Sequence, residues 1–227
     1  GINVANGNYV NIKAAELTLN QGAGFEAIRA ENGGKVEIDV DDVALTCRVY
    51  TNGDGSIVDI AGVNNVLITS TNGSAINSAS DGATIKIGDE GTKNITITGA
   101  TQGSREVYDN QGNFVNYNED NRAVIYSKGN VNITANEKVV INDTGVKTKA
   151  LSAYGDANVT INGGQQTIIN GEITADGYGP VLQSDGNVEH QDNGIADNIN
   201  VLIKGENIIV DASIEAEEGI FARGDSR

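Results

Sequence analysis

Side-chain chemistry needs particular groups at particular spacings, and this sequence offers few of them. Its one histidine, His190, stands in Val188-Glu189-His190-Gln191-Asp192, inside a polar stretch that reads as a solvent-facing loop. A serine or cysteine triad would need that residue as its base, and no Gly-x-Ser-x-Gly elbow is present to hold a nucleophile. Three acids cluster in Asp39-Val40-Asp41-Asp42, and carboxylates on or beside a strand end suit Ca²⁺. With Arg48 and Asp59 on adjacent turns, they are the nearest approach to a calcium-dependent lyase site. They match no recognised calcium loop, and acids are common all along the chain. The reading is no enzyme and no cofactor, with calcium at Asp39, Asp41 and Asp42 as the one metal alternative.

Binding features are easier to find than catalytic ones. The stretch Glu106-Val107-Tyr108-Asp109-Asn110-Gln111-Gly112-Asn113-Phe114-Val115-Asn116-Tyr117 reads as a β-hairpin turning at Asn110 to Asn113. It gathers Tyr108, Phe114 and Tyr117 in one protrusion, in a chain with only seven tyrosines and three phenylalanines. Exposed rings suit sugar stacking or protein contact, and the same rings could equally fold back over the wall beneath them. Tyr154 and Tyr178, at or near later corners, would extend the patch. The tetrapeptide Arg223-Gly224-Asp225-Ser226 spells an integrin-recognition motif, but it falls where the repeat already requires a Gly-Asp corner. The lone cysteine, Cys47, follows strand residues and reads as a small core hydrophobe.

The formal net charge is −16 and the pI about 4.3. Such a surface repels phosphate backbones and anionic lipid, which excludes nucleic acid and ordinary membrane surfaces as partners. No apolar run approaches the length needed to cross a bilayer as a helix. Gly1-Ile2-Asn3-Val4 is strand-like, so the chain reads as an internal piece of something longer.

What must position these groups is a repeat. Apolar-polar-apolar units recur behind a turn residue, as in Lys35-Val36-Glu37-Ile38, Asn65-Val66-Leu67-Ile68, Asn94-Ile95-Thr96-Ile97, Asn130-Val131-Asn132-Ile133, Asn158-Val159-Thr160-Ile161 and Asn200-Val201-Leu202-Ile203. Period-two alternation with β-branched residues is the half-buried strand signal. A second unit, small-aliphatic-x-small before a Gly turn, interleaves with it at Ala27-Ile28, Ala75-Ile76, Val124-Ile125, Ala150-Leu151 and Val181-Leu182. Once polar insertions near 101–122 and 186–198 are set aside, the period is roughly 22 to 30 residues, with three short strands in each. Ile12 to Leu19 and Ile214 to Glu218, which have some helical character, are better read as strands. The predicted fold is all-β, a single-stranded right-handed parallel β-helix of about seven or eight turns, one domain over residues 1–227. A two-sheet antiparallel sandwich is the rival, though it has no reason to repeat every third strand.

Asn130-Val131-Asn132-Ile133-Thr134 and Asn158-Val159-Thr160-Ile161-Asn162, strung between small-residue turns, resemble the passenger domains of bacterial autotransporters and related filamentous adhesins of the pectin-lyase-like superfamily. The resemblance covers the whole chain and is architectural. It implies a virulence-associated passenger at the outer membrane surface or secreted, acting in adhesion or self-association through an extended solenoid face. A purely structural stalk, or a polysaccharide lyase or hydrolase on the same fold, are the alternatives. The partners implied are a host surface protein, extracellular matrix or glycan, or another copy of the chain. The superfamily's polygalacturonase-like motifs are absent here.

Overall fold

Strands of four or five residues with one aliphatic face bury little alone, so each must lie against a like neighbour. In the computed structural model that neighbour is the equivalent strand one circuit away. The structure describes residues 1–22, 26–71, 73–100, 105–108, 111, 114–118, 123–145, 149–175, 181–183, 200–211, 214–215 and 221–223.

The first circuit holds β1 (Ile2–Ala5) and β2 (Tyr9–Asn20), the second β3 (Glu26–Glu31) and β4 (Lys35–Thr46). The third holds β5 (Arg48–Asn52) and β6 (Ile57–Thr69). The next has three strands, β7 (Ile76–Ser78), β8 (Thr84–Ile87) and β9 (Asn94–Gly99). A hairpin of β10 (Arg105–Tyr108) and β11 (Phe114–Asn118) precedes β12 (Ile125–Ser127), β13 (Asn130–Thr134) and β14 (Lys138–Asp143). Then come β15 (Lys149–Ala153), β16 (Asn158–Asn162) and β17 (Gln166–Asn170), followed by β18 (Glu172–Ala175), β19 (Val181–Gln183), β20 (Asn200–Lys204) and β21 (Asn207–Asp211). β22 (Ile214–Glu215) and β23 (Phe221–Arg223) complete the order. Ile12 to Leu19 is strand, inside β2.

Pairing within both large sheets is parallel and, apart from register shifts in β3–β5, β4–β6 and β15–β18, residue-for-residue. Ile12, Ile38, Ile60, Ile87, Ile133, Ile161 and Ile203 are successive partners, a single file of isoleucines. Ile38 to Ile203 in that file are no more than 2% exposed. An antiparallel sandwich would separate Ile133 from Ile161, so that rival is excluded. Corners fall on Asn-Gly, as at Asn6-Gly7 and Asn32-Gly33, where all four residues take left-handed backbone. The two corners stack, Gly7 N–H donating to Asn32 O at 3.1 Å.

The predicted sheet architecture needs correction. In the first three circuits the second and third short strands are fused into one strand of 12 or 13 residues that runs through a corner. Two ladders therefore merge into one 13-stranded sheet, with β6 joining the β9 arm to the β8 arm. The eleven-strand path of this sheet spans 311°, a nearly closed parallel barrel rather than an open right-handed β-helix. A separate eight-stranded sheet, β1-β3-β5-β7-β12-β15-β18-β22, completes the enclosure. Chain order also breaks at the far end, where β20 is inserted between β16 and β19, and β23 follows β19. The resemblance to autotransporter passengers and the pectin-lyase-like superfamily rested on an open solenoid, and the closed wall overturns it. The adhesive solenoid face, the spacer stalk, the carbohydrate-active groove and the outer-membrane passenger role presupposed that shape and are overturned with it.

Replacing Ile133 with Ala should cost about 2–5 kcal/mol, because the filed side chains above and below cannot close the gap. Replacing its outward neighbour Asn132 with Ala should cost less than about 0.5 kcal/mol. Urea unfolding of the two variants checks the direction in which each side chain points.

Candidate functional site

The three acids proposed for calcium do not converge. Asp39 is exposed and pairs with Lys13 at 3.2 Å. Asp41 is exposed, and Asp42 lies beyond the corner, accepting hydrogen bonds from Asn65 Nδ2 at 2.9 Å and Asn64 Nδ2 at 3.4 Å. The inward positions of β4 run Val36, Ile38, Val40 and then Val43, Leu45, so the alternation slips between Val40 and Val43, where Asp41 and Asp42 lie. Among the described residues no group of three or more His, Cys, Asp or Glu is placed to hold a metal. Arg48 and Asp59 are engaged elsewhere, with Glu26 at 2.6 Å and Lys86 at 3.4 Å.

The hairpin read from the sequence is present in the backbone: β10 and β11 pair antiparallel, with Tyr108 opposite Phe114 and Tyr117 opposite Glu106. The side chains of those three rings lie outside what is described, as do Tyr178, His190, the 186–198 insertion and the Gly224–Ser226 part of the Arg-Gly-Asp-Ser motif. Tyr154 is half-buried, its ring 5.8 Å from that of Tyr126, which is 3% exposed. Tyr154 therefore packs on the wall. Cys47 is buried, its thiol donating toward the carbonyls of Gln21 (3.3 Å) and Gly22 (3.2 Å).

Two arrangements escaped the sequence reading. On the smaller sheet, Arg29, Tyr50, Asn77, Tyr126 and Ser152 are successive partners in one row, of which Asn77, Tyr126 and Ser152 are at most 3% exposed. Arg29 and Arg48 sit over the Tyr50 ring, 5.2 and 5.3 Å from its centroid, and both reach the Glu26 carboxylate. Burial works against ionising Glu26, but the hydrogen bond and charge of Arg48 outweigh it and hold the carboxyl below its ordinary range. Asn77 is completely buried, and among the described residues neither its amide nitrogen nor its amide oxygen has a partner.

The second arrangement lies outside the β6-β9-β14-β17-β21 arm of the larger sheet. Leu67, Thr96, Val140, Ile168 and Ile209 are partners in one outward row. Among the described residues three large apolar side chains are exposed, and two, Leu67 at 44% and Ile209 at 41%, belong to this row. Asn65, Asn94, Lys138, Gln166 and Asn207 run along one side of it, and Thr69, Thr98, Asn142, Asn170 and Asp211 along the other. Lys138 and Asp211, opposite in sign, are the charges in those two flanking rows, on a chain of net charge −16. Sheet alternation explains the row: the positions between, such as Ile68, Ile97, Ile141 and Ile169, already fill the core.

No known family, curated protein or solved structure matches this chain. Its own surfaces must therefore carry the functional reading. An aliphatic strip about 19 Å long across five strands, edged by amides and hydroxyls, has no nucleophile, base or metal ligand set. It can exclude water against a matching surface, and it can donate and accept hydrogen bonds at its rim.

Changing Asn77 to Leu replaces a buried amide that has no partner among the described residues with an apolar group of the same branching and heavy-atom count, and should raise stability by about 1 kcal/mol. Thermal unfolding reads the sign. Because the folded Glu26 carboxyl titrates below its unfolded value, its stabilisation is complete at neutral pH and is lost as pH falls through that lowered value. Arg48→Gln should therefore lower stability at pH 7 and flatten the acid limb of a stability-against-pH curve.

Proposed function

We propose that this chain is a non-catalytic, exported module that binds a host surface or extracellular-matrix protein through the nearly uncharged apolar row. The observation that carries this reading is the alignment of Leu67, Val140, Ile168 and Ile209 on one strip of low charge on an otherwise acidic surface. Isolated exposed aliphatics are ordinary, whereas aliphatics aligned on a rigid sheet with a polar rim have the anatomy of a protein contact. A sugar partner is less well served, because neither the strip nor its two flanking rows contains an aromatic ring for stacking. Nucleic acid is disfavoured by the net charge. The buried state of the single thiol suits an oxidising compartment, since Cys47 presents no reactive surface there.

The test is a panel of purified secreted and cell-surface proteins, run beside a glycan array, against the wild type and the Leu67→Asp, Ile168→Asp double variant. Both changes point outward, so the melting temperature should stay within a few degrees. Binding to at least one protein should weaken about a hundredfold in the double variant, as two desolvated contacts are lost. Protein binding indifferent to the two substitutions, or glycan binding that survives them, would overturn the reading.

A further inference from the structure

Five Asn-Gly pairs lie at corners among the described residues: Asn6-Gly7, Asn32-Gly33, Asn52-Gly53, Asn162-Gly163 and Asn170-Gly171. The same dipeptide is chemically the least durable in the chain. With no side chain in the way, the glycine nitrogen can close on the asparagine Cγ, which makes asparagine thermolabile there. Attack needs the glycine N–H to be given up and its amide plane to turn. A hydrogen bond donated by that N–H opposes both. Four corners have one of ordinary length: Gly7 donates to Asn32 O at 3.1 Å, Gly33 to Ser56 Oγ at 3.1 Å, Gly53 to Ser80 Oγ at 2.7 Å and Gly163 to Thr167 Oγ1 at 2.8 Å. Among the described residues the Gly171 N–H has Asp211 O alone, at 3.4 Å, beyond the usual range for such a bond.

We propose that Asn170 is a site of spontaneous deamidation, at which the chain acquires a carboxylate with age. The Gly171 nitrogen gives up its proton and bonds to Asn170 Cγ. The Cγ–Nδ2 bond breaks, and the amide leaves with that proton as ammonia. Water then opens the five-membered imide: at the main-chain carbonyl it yields isoaspartate, and at the side-chain carbonyl aspartate. Water is the only co-reactant, and Asn170, half-buried at the end of β17, is within its reach. Position gives the change its consequence. Asn170 belongs to the rim row Thr69, Thr98, Asn142, Asn170 and Asp211, two residues along its strand from Ile168 of the apolar row. Its in-register partner is Asp211, so the new carboxylate stands one strand spacing, about 4.8 Å, from an existing one. Like charges so placed repel, and the strip loses the low charge that marks it out. That consequence for binding rests on the function proposed above, whereas the conversion itself does not.

Incubation of residues 1–227 in neutral buffer at physiological temperature, with peptide mapping by mass spectrometry at intervals, tests it. The amide-to-acid mass gain is localised by fragmentation, and isoaspartate is read by isoaspartyl methyltransferase labelling. In the folded protein Asn170 should convert about fivefold or more faster than Asn6, Asn32, Asn52 and Asn162, the factor expected where one net hydrogen bond is missing. In denaturing urea the five rates should converge, since every one of these asparagines precedes glycine. Ser80→Ala removes the acceptor of the Gly53 N–H and should bring Asn52 toward the rate of Asn170, which separates the effect of that bond from exposure alone. The conversion is read with no partner present, so its failure is distinct from a failure of the apolar row to bind. Asn170 converting no faster than the other four in the folded protein, or Asn52 indifferent to Ser80→Ala, overturns the proposal.

Discussion

Backbone hydrogen bonds between like residues of successive circuits hold the rest of the structure in place. Because most strands stack in register on their equivalents, most inward aliphatics rest on another of similar shape, and the longest files are continuous dispersion contact. The isoleucine file through Ile38, Ile60, Ile87, Ile133, Ile161 and Ile203 has neighbours Val36, Val58, Ile85, Val131, Val159 and Val201, so this part of the core is wholly β-branched. Bulky rings would break such files, and none is needed. Where the file through Ile95, Val139 and Ile208 admits a polar residue, at Thr167, its hydroxyl accepts from the Gly163 amide at 2.8 Å.

The same stacking governs the surface. A residue type placed once on an outward position meets its counterpart about 4.8 Å away, so outward rows become stripes of one chemical character. On the smaller sheet the stripe is inward-looking chemistry: arginines against a tyrosine, ion pairs with Glu26 and Glu31, and a buried amide. It is consumed by its own neighbours. The aliphatic stripe from Leu67 to Ile209 makes no such polar network and is open to serve another molecule. The two differ in exposure: Asn77, Tyr126 and Ser152 of the first are at most 3% exposed, whereas Leu67 and Ile209 of the second stand at 44% and 41%.

Alternation, Asn-Gly corners and a period near 25 residues were enough to find the strands, their parallel stacking and the inward residues, because these depend on contacts between near-identical segments. The hairpin at 105–118 was legible for a similar local reason, a Gly-containing turn between alternating runs. Closure was not legible. Whether Ala14-Ala15 or Asp41 marks a loop or a corner inside one strand depends on hydrogen bonds to the next circuit, and those fused strands turn two sheets into one. Nor did the sequence disclose which acids are spoken for: Asp39, Asp41 and Asp42 look like one cluster, but Asp39 pairs with Lys13 and Asp42 accepts from Asn64 and Asn65. Sequence determined which residues are alike, and so what stacks on what. Tertiary structure alone decided how far the wall wraps and which outward groups its own neighbours leave uncovered, since both depend on residues from circuits far apart in the chain.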